Sequence, residues 1–150
     1  MIERYQEQFP SLRFASPEEG ILEIIMAAPG RLNAADRGMH RQLADVWFTI
    51  GRDDEIDVVI VRGEGGVFSS GGDFDMIDDI IGDFGDRSTV WREARDLVYN
   101  LINCDRPVVS AMEGPAVGAG LVVGLLADIS IAAGAPGVKD RDTPVGGGPR

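Results

Sequence analysis

Two glycine-rich turns constrain this chain most, because each lies between a β-like apolar run and a stretch of helical period. The first is Phe68-Ser-Ser-Gly-Gly-Asp73. It follows Ile56-Asp-Val-Val-Ile-Val61, nearly continuous and β-branched, as expected of a strand covered on both faces. The second is Glu113-Gly-Pro-Ala-Val-Gly-Ala-Gly120, which follows the strand-like Pro107-Val-Val-Ser-Ala-Met112 and feeds an apolar helix, Leu121-Val-Val-Gly-Leu-Leu126. Strands alternating with helices through tight turns define an α/β architecture.

The remaining segments fit the same alternation. Ile21-Leu-Glu-Ile-Ile-Met26 reads as a strand ended by Pro29-Gly30. From Ala34 to Asp53, Met39, Leu43, Val46, Trp47 and Ile50 recur at helical steps, with Asp36 near the start as a cap for free backbone N–H groups. Phe74, Ile77, Ile80, Ile81 and Phe84 repeat that period. A further helix is expected after Ser88, with Trp91, Leu97, Leu101 and Ile102 in its apolar stripe. Asp128-Ile-Ser-Ile-Ala-Ala133 is the last strand. The chain is expected to form one domain over 1–150, with a core over 1–133. The tail over 134–150 has five glycines and three prolines and no periodicity.

Charge narrows the partners. The 150 residues carry 14 Lys and Arg against 25 Asp and Glu, a formal net charge of −11. That balance offers no basic stripe to nucleic acid or an anionic membrane, so neither is an expected partner. No apolar run reaches the roughly 18 residues of a membrane span, and the opening Met1-Ile-Glu-Arg4 lacks the apolar stretch of a signal peptide. The single cysteine, Cys104, excludes an intrachain disulfide and a cysteine-rich zinc site. A soluble, cytoplasmic protein is expected.

The chemistry of the two turns follows from their place at helix starts. There the first N–H groups have no intrahelical partner, and the helix dipole adds partial positive charge. Glycine or alanine lets a ligand oxygen approach the backbone closely. Two such N–H groups converging on one point would hold a developing oxyanion, worth about 3–4 kcal/mol per donor. Ordinary tight connections would share the same composition.

The sequence context of the turns adds a resemblance. Val58-Val-Ile-Val-Arg-Gly63 followed by Phe68-Ser-Ser-Gly-Gly-Asp-Phe74 resembles the first signature of the crotonase superfamily, the enoyl-CoA hydratase/isomerase family. Cys104-Asp-Arg-Pro-Val-Val-Ser-Ala-Met-Glu-Gly-Pro-Ala-Val-Gly-Ala-Gly-Leu121, closing on Ala127-Asp-Ile-Ser130, is similar to the second. Arg31-Leu-Asn-Ala34 resembles the turn opening the family's first helix. The resemblance implies a crotonase-like (ClpP/crotonase) α/β spiral of repeated β-β-α units, here shortened at the C-terminus.

It also implies an enzyme that acts on an acyl-CoA thioester through an enolate. Coenzyme A is then part of the substrate, and no separate cofactor is required. The oxyanion hole falls on the backbone N–H groups of Gly72 and Ala119, and Asn33, Ala34, Ser70 and Asp73 become neighbours of coenzyme A. A complete member of the family forms a trimer or a dimer of trimers.

Departures from the family pattern bear on the reaction. The family's hydratases use two glutamates; the first position here is Val122, and ungapped counting puts the second on Asp142, with Asp140 a weaker competitor. Hydration then lacks one of its acid/base groups, whereas isomerisation or hydrolysis by a single carboxylate is still open. The alternative is a truncated, non-catalytic homologue that keeps the scaffold, with exposed apolar surface and poor solubility. Asp75 stands where some hydratases place a lysine near the phosphates, which leaves Arg31, Arg37, Arg41 and Arg62 as cations for coenzyme A.

Other residues have plain readings. His40, the only histidine, is expected to be a solvated helix residue without a triad, and Cys104 a semi-buried packing residue. The series Asp73, Asp75, Asp78, Asp79, Asp83 and Asp86 lacks calcium-loop spacing and reads as a solvated face, so no metal site is expected. Gly118-Ala-Gly120 lacks the third glycine and acidic partner of a dinucleotide fingerprint.

Overall fold

A computed structural model describes residues 1–133. Its elements in chain order are α1 (Ile2–Gln8), β1 (Arg13–Ala15), β2 (Ile21–Met26), α2 (Arg37–Gly51), β3 (Val58–Gly63), α3 (Phe74–Gly82), α4 (Phe84–Ile102), β4 (Val108–Met112), α5 (Ala119–Leu126) and β5 (Ile129–Ala132). The strands form one sheet in the order β1-β2-β3-β4-β5. β1 pairs with β2 antiparallel, and every later pair is parallel. Each parallel neighbour is reached through one or two helices, because parallel strands need a crossover and a helix supplies it.

Register fixes which residues meet the helices. Leu22↔Val59, Ile24↔Val61 and Val59↔Val108 are direct neighbours, and this face packs with Leu43, Trp47 and Ile50 of α2, Leu97 and Leu101 of α4, and Val123 of α5 in one core. Residues one step along each strand lie on the other face. There Ile60 and Ala111 are only half-buried, Ile129 and Ile131 are each 57% exposed, and Arg62 pairs with Glu23 at 3.1 Å. The expectation that the β3 run is covered on both faces therefore holds for only one of them among the described residues.

The α2 expectation is met: all five periodic residues are buried, and Asp36 accepts the Met39 N–H. In α3 the helical period is right but the burial is not. Phe74, Ile77 and Ile81 are exposed, as is Phe84 at the start of the next helix; Ile80 is half-buried and within α3 only Met76 is buried, so most of that stripe is left uncovered among the described residues. The following helix starts before Ser88, at Phe84, where Asp83 accepts the Asp86 N–H. Trp91 and Ile102 of the same helix are also exposed. His40 is a clear correction. It is buried and its Nδ1 lies 2.8 Å from Glu93 of α4, since α2 and α4 pack against each other where a solvated face was expected.

The N-terminal segment forms α1 and β1, held by the aromatic cluster Tyr5, Phe9 and Phe14. No described helix is long and apolar enough to cross a membrane. Asp140 and Asp142 lie outside the described residues.

Candidate active site

The site grows from β3 and β4, which end side by side and release their turns toward each other. After β3 the chain doubles back at Gly63, where a Cβ would lie 1.8 Å from the Val67 carbonyl oxygen, so only glycine fits. The first turn then runs between two partners. On one edge, Ala35 donates its N–H to Gly71 O at 2.8 Å and accepts the Asp73 N–H at 2.9 Å. On the other edge, Ser69 accepts the Val117 N–H at 2.9 Å and donates its own N–H to Pro115 O at 3.0 Å. The two glycine-rich turns are thus zipped together by main-chain bonds.

This geometry determines where the free donors point. Because Gly71 O and Asp73 N both face Ala35, the Gly72 N–H between them faces the opposite edge. That is the edge of the second turn: a Cβ on Gly71 would lie 3.1 Å from Val117 O, and one on Gly118 3.6 Å from the Gly71 Cα. The Ala119 N–H opens α5, one residue beyond Gly118. Neither the Gly72 nor the Ala119 N–H meets an acceptor among the described residues, and both residues are half-buried. Gly118 has φ +54° and ψ −128°, the mirror image of an extended conformation and open only to glycine. Gly71, at φ +97°, is under the same restriction.

The first-helix turn runs along the first glycine turn, bonded to it through Leu32 and Ala35. Leu32 and Asn33 hold left-handed φ values of +51° and +53°. Asn33 tolerates this because its side chain bonds locally: Oδ1 accepts the Ala28 N–H, and Nδ2 donates to Glu64 O and Val67 O. Asn33 is buried, with both amide hydrogens committed to backbone, so its side chain braces the turn. Ala34 is also buried. Ser70 donates its N–H to Leu32 O, and its hydroxyl to Arg31 O at 3.3 Å. Asp73 caps α3 by accepting the Asp75 N–H and binds Arg31 at 2.8 Å.

The cations expected to favour phosphate are mostly engaged. Arg31 pairs with Asp73 and Asp36, Arg37 with Asp86 and Arg62 with Glu23, while Arg41 has no carboxylate partner among the described residues. Val122 is exposed on α5. Asp75, Asp78 and Asp79 are exposed. No group of three or more His, Cys, Asp or Glu among the described residues is placed to hold a metal ion. Cys104 is half-buried, and burial pushes its thiol above its ordinary range, as for a packing residue. Sequence inspection overlooked Ser69, whose signal was only a hydroxyl flanking the glycine pair.

The enoyl-CoA hydratase/isomerase family model matches residues 16–149. The chain is 36% identical over 118 residues to 1,2-epoxyphenylacetyl-CoA isomerase of Escherichia coli (strain K12), covering 77% of this chain and 45% of that protein. It is 28% identical over 130 residues to the mitochondrial Delta(3,5)-Delta(2,4)-dienoyl-CoA isomerase of Homo sapiens, covering 81% and 40%. An enoyl-CoA hydratase/isomerase structure from Mycobacterium paratuberculosis superposes with a TM-score of 0.78 at 30% identity, over 81% of this chain and 49% of that one. An enoyl-CoA hydratase/carnithine racemase structure from Magnetospirillum magneticum gives 0.73 at 30% identity, over 81% and 46%. The chain thus spans about half the length of the relatives it matches. With its two turns joined as described, it belongs to the enoyl-CoA hydratase/isomerase family.

Proposed function

We propose that this chain carries the oxyanion-binding part of an acyl-CoA enzyme, with the Gly72 and Ala119 N–H groups gripping the thioester carbonyl oxygen as an enolate forms. The observation that carries this reading is that each of two turns zipped at Ser69–Val117 has a half-buried residue whose N–H meets no acceptor among the described residues. Donors fixed before reaction need no reorganisation as charge develops, so they stabilise the enolate more than the ground state. The turn of Asn33 and Ala34, with Ser70 and Asp73, borders the path of coenzyme A, which is part of the substrate. Relatives named for an acyl group on coenzyme A support that substrate class. The acid/base role falls to Asp142, and a single carboxylate favours isomerisation over hydration. The protein works in the cytoplasm as a homo-oligomer, a trimer or a dimer of trimers, with neither nucleic acid nor membrane as partner.

Val122 favours a second reading, a homologue that holds acyl-CoA without turnover, because valine moves no proton where the hydratases carry a glutamate. Exchange of the substrate α-proton in heavy water, followed by mass spectrometry on an acyl-CoA, separates the two. Ala119→Pro is the chosen variant: proline is tolerated at a first helical position, where it replaces an N–H that has no intrahelical partner with a ring carbon. The enzymatic reading predicts deuterium uptake by the wild-type protein and a loss of roughly 100- to 1000-fold in the variant. No uptake by the wild-type protein supports the second reading.

A further inference from the structure

We infer that Ser69 is the positioning residue of this site, setting the spacing of the two N–H donors through its buried hydroxyl; the inference rests on the oxyanion-binding reading above. Ser69 is 1% exposed, and all of its polar atoms are engaged. Its Oγ donates to Asn33 O at 2.9 Å and accepts the Gly71 N–H at 3.2 Å. Its N–H and carbonyl bind Pro115 O and the Val117 N–H. One residue therefore ties the first-helix turn, the first glycine turn and the second glycine turn together.

The position of this knot explains its reach. The Gly71 N–H held by the hydroxyl lies in the peptide just before the one that delivers the first donor, so the bond fixes one end of Gly71 while Ala35 holds its carbonyl at the other. Across the interface, the Ser69 Cβ lies 2.4 Å from where a Cβ on Gly120 would stand. Gly120 immediately follows Ala119, the second donor, so the same side chain also sets how closely α5 approaches. A buried hydroxyl with two partners holds one rotamer, and its loss leaves a buried carbonyl and a buried N–H unpaired. Displacements of about 1 Å at a reacting centre cost on the order of a hundredfold in rate. The hydroxyl does not reach the substrate; it acts on the donors.

The test uses crotonyl-CoA labelled with carbon-13 at its carbonyl, bound to the full chain and read by difference infrared spectroscopy. Polarisation by two N–H donors lowers the carbonyl stretch, a readout that general loss of stability does not move in the fraction still folded. The inference predicts a lowered band in the wild-type protein and a smaller shift in Ser69→Ala. In proton exchange, kcat is predicted to fall on the order of tenfold to a hundredfold with KM little changed. Ser69→Cys keeps a side-chain donor, weaker and somewhat larger than the hydroxyl, and is predicted to lie between; it serves as the test variant should the alanine form not fold. An unchanged shift and kcat in the folded variants overturn the role of Ser69. A wild-type band left at its position in water overturns the oxyanion-binding reading itself.

Discussion

Asp53 draws the N-terminal helix onto the body of the protein through a side chain largely withdrawn from water. It accepts the Tyr5 hydroxyl at 2.7 Å and the Glu55 N–H at 3.0 Å, and it pairs with Arg4. Burial alone would raise its carboxyl, but the Tyr5 hydroxyl, the Glu55 N–H and the Arg4 guanidinium outweigh burial and hold it below the ordinary carboxylate range. Burial first, then the Asp53 carboxylate, pushes the Tyr5 phenol far above its usual value, so it stays a donor at neutral pH. A carboxyl lowered on folding stabilises the native state above its unfolded value, and that stability is lost as pH falls through the folded one. Asp53→Asn is therefore predicted to lose on the order of 1 kcal/mol at pH 7. Its stability should also fall less steeply than wild type below about pH 5; urea titrations at several pH values check this. Asn33 teaches a related lesson. The motif places it at the turn before the first long helix, and its amide there serves the backbone.

At the scale of elements, α5 shows helix propensity overruled by packing. Gly120 lies in this helix, where alanine would ordinarily gain about 1 kcal/mol. A Cβ there would meet the Ser69 Cβ at 2.4 Å and the Ser69 carbonyl at 3.3 Å, both anchored by backbone pairing. Gly120→Ala is predicted to cost a net 1–2 kcal/mol, roughly the overpacking penalty less the propensity gain, measurable by chemical denaturation.

Such contacts separate what could be read in advance from what could not. β2, β4, α2, α5 and the two glycine turns were legible, because each is marked by β-branched runs, helical steps or turn residues within a short window. The burial of α3 was not, since a helical period says where a stripe lies and nothing of whether a neighbour covers it. The His40–Glu93 contact was hidden for a related reason: it joins residues 53 apart in sequence. The α1–β1 segment offered only three spaced aromatics, whose mutual contact is tertiary.

For the molecule as a whole, the fold brings the two glycine-rich turns together by stacking two crossovers on adjacent parallel strands. The face of the sheet turned to α2, α4 and α5 is a dry core, whereas Ile129, Ile131 and the α3 stripe meet water. The chain spans about half of its relatives' length, and the zipped turns lie within that half. In the proposed site Gly72 and Ala119 aim their N–H groups at one oxygen. Nitrogen-15 NMR of the labelled protein titrated with acetyl-CoA, with free coenzyme A as the control that lacks the thioester carbonyl, tests this. The Gly72 and Ala119 amide protons are predicted to move downfield together with acetyl-CoA and to stay in place with coenzyme A. Movement of only one of them, or identical responses to both ligands, would contradict a shared oxyanion site.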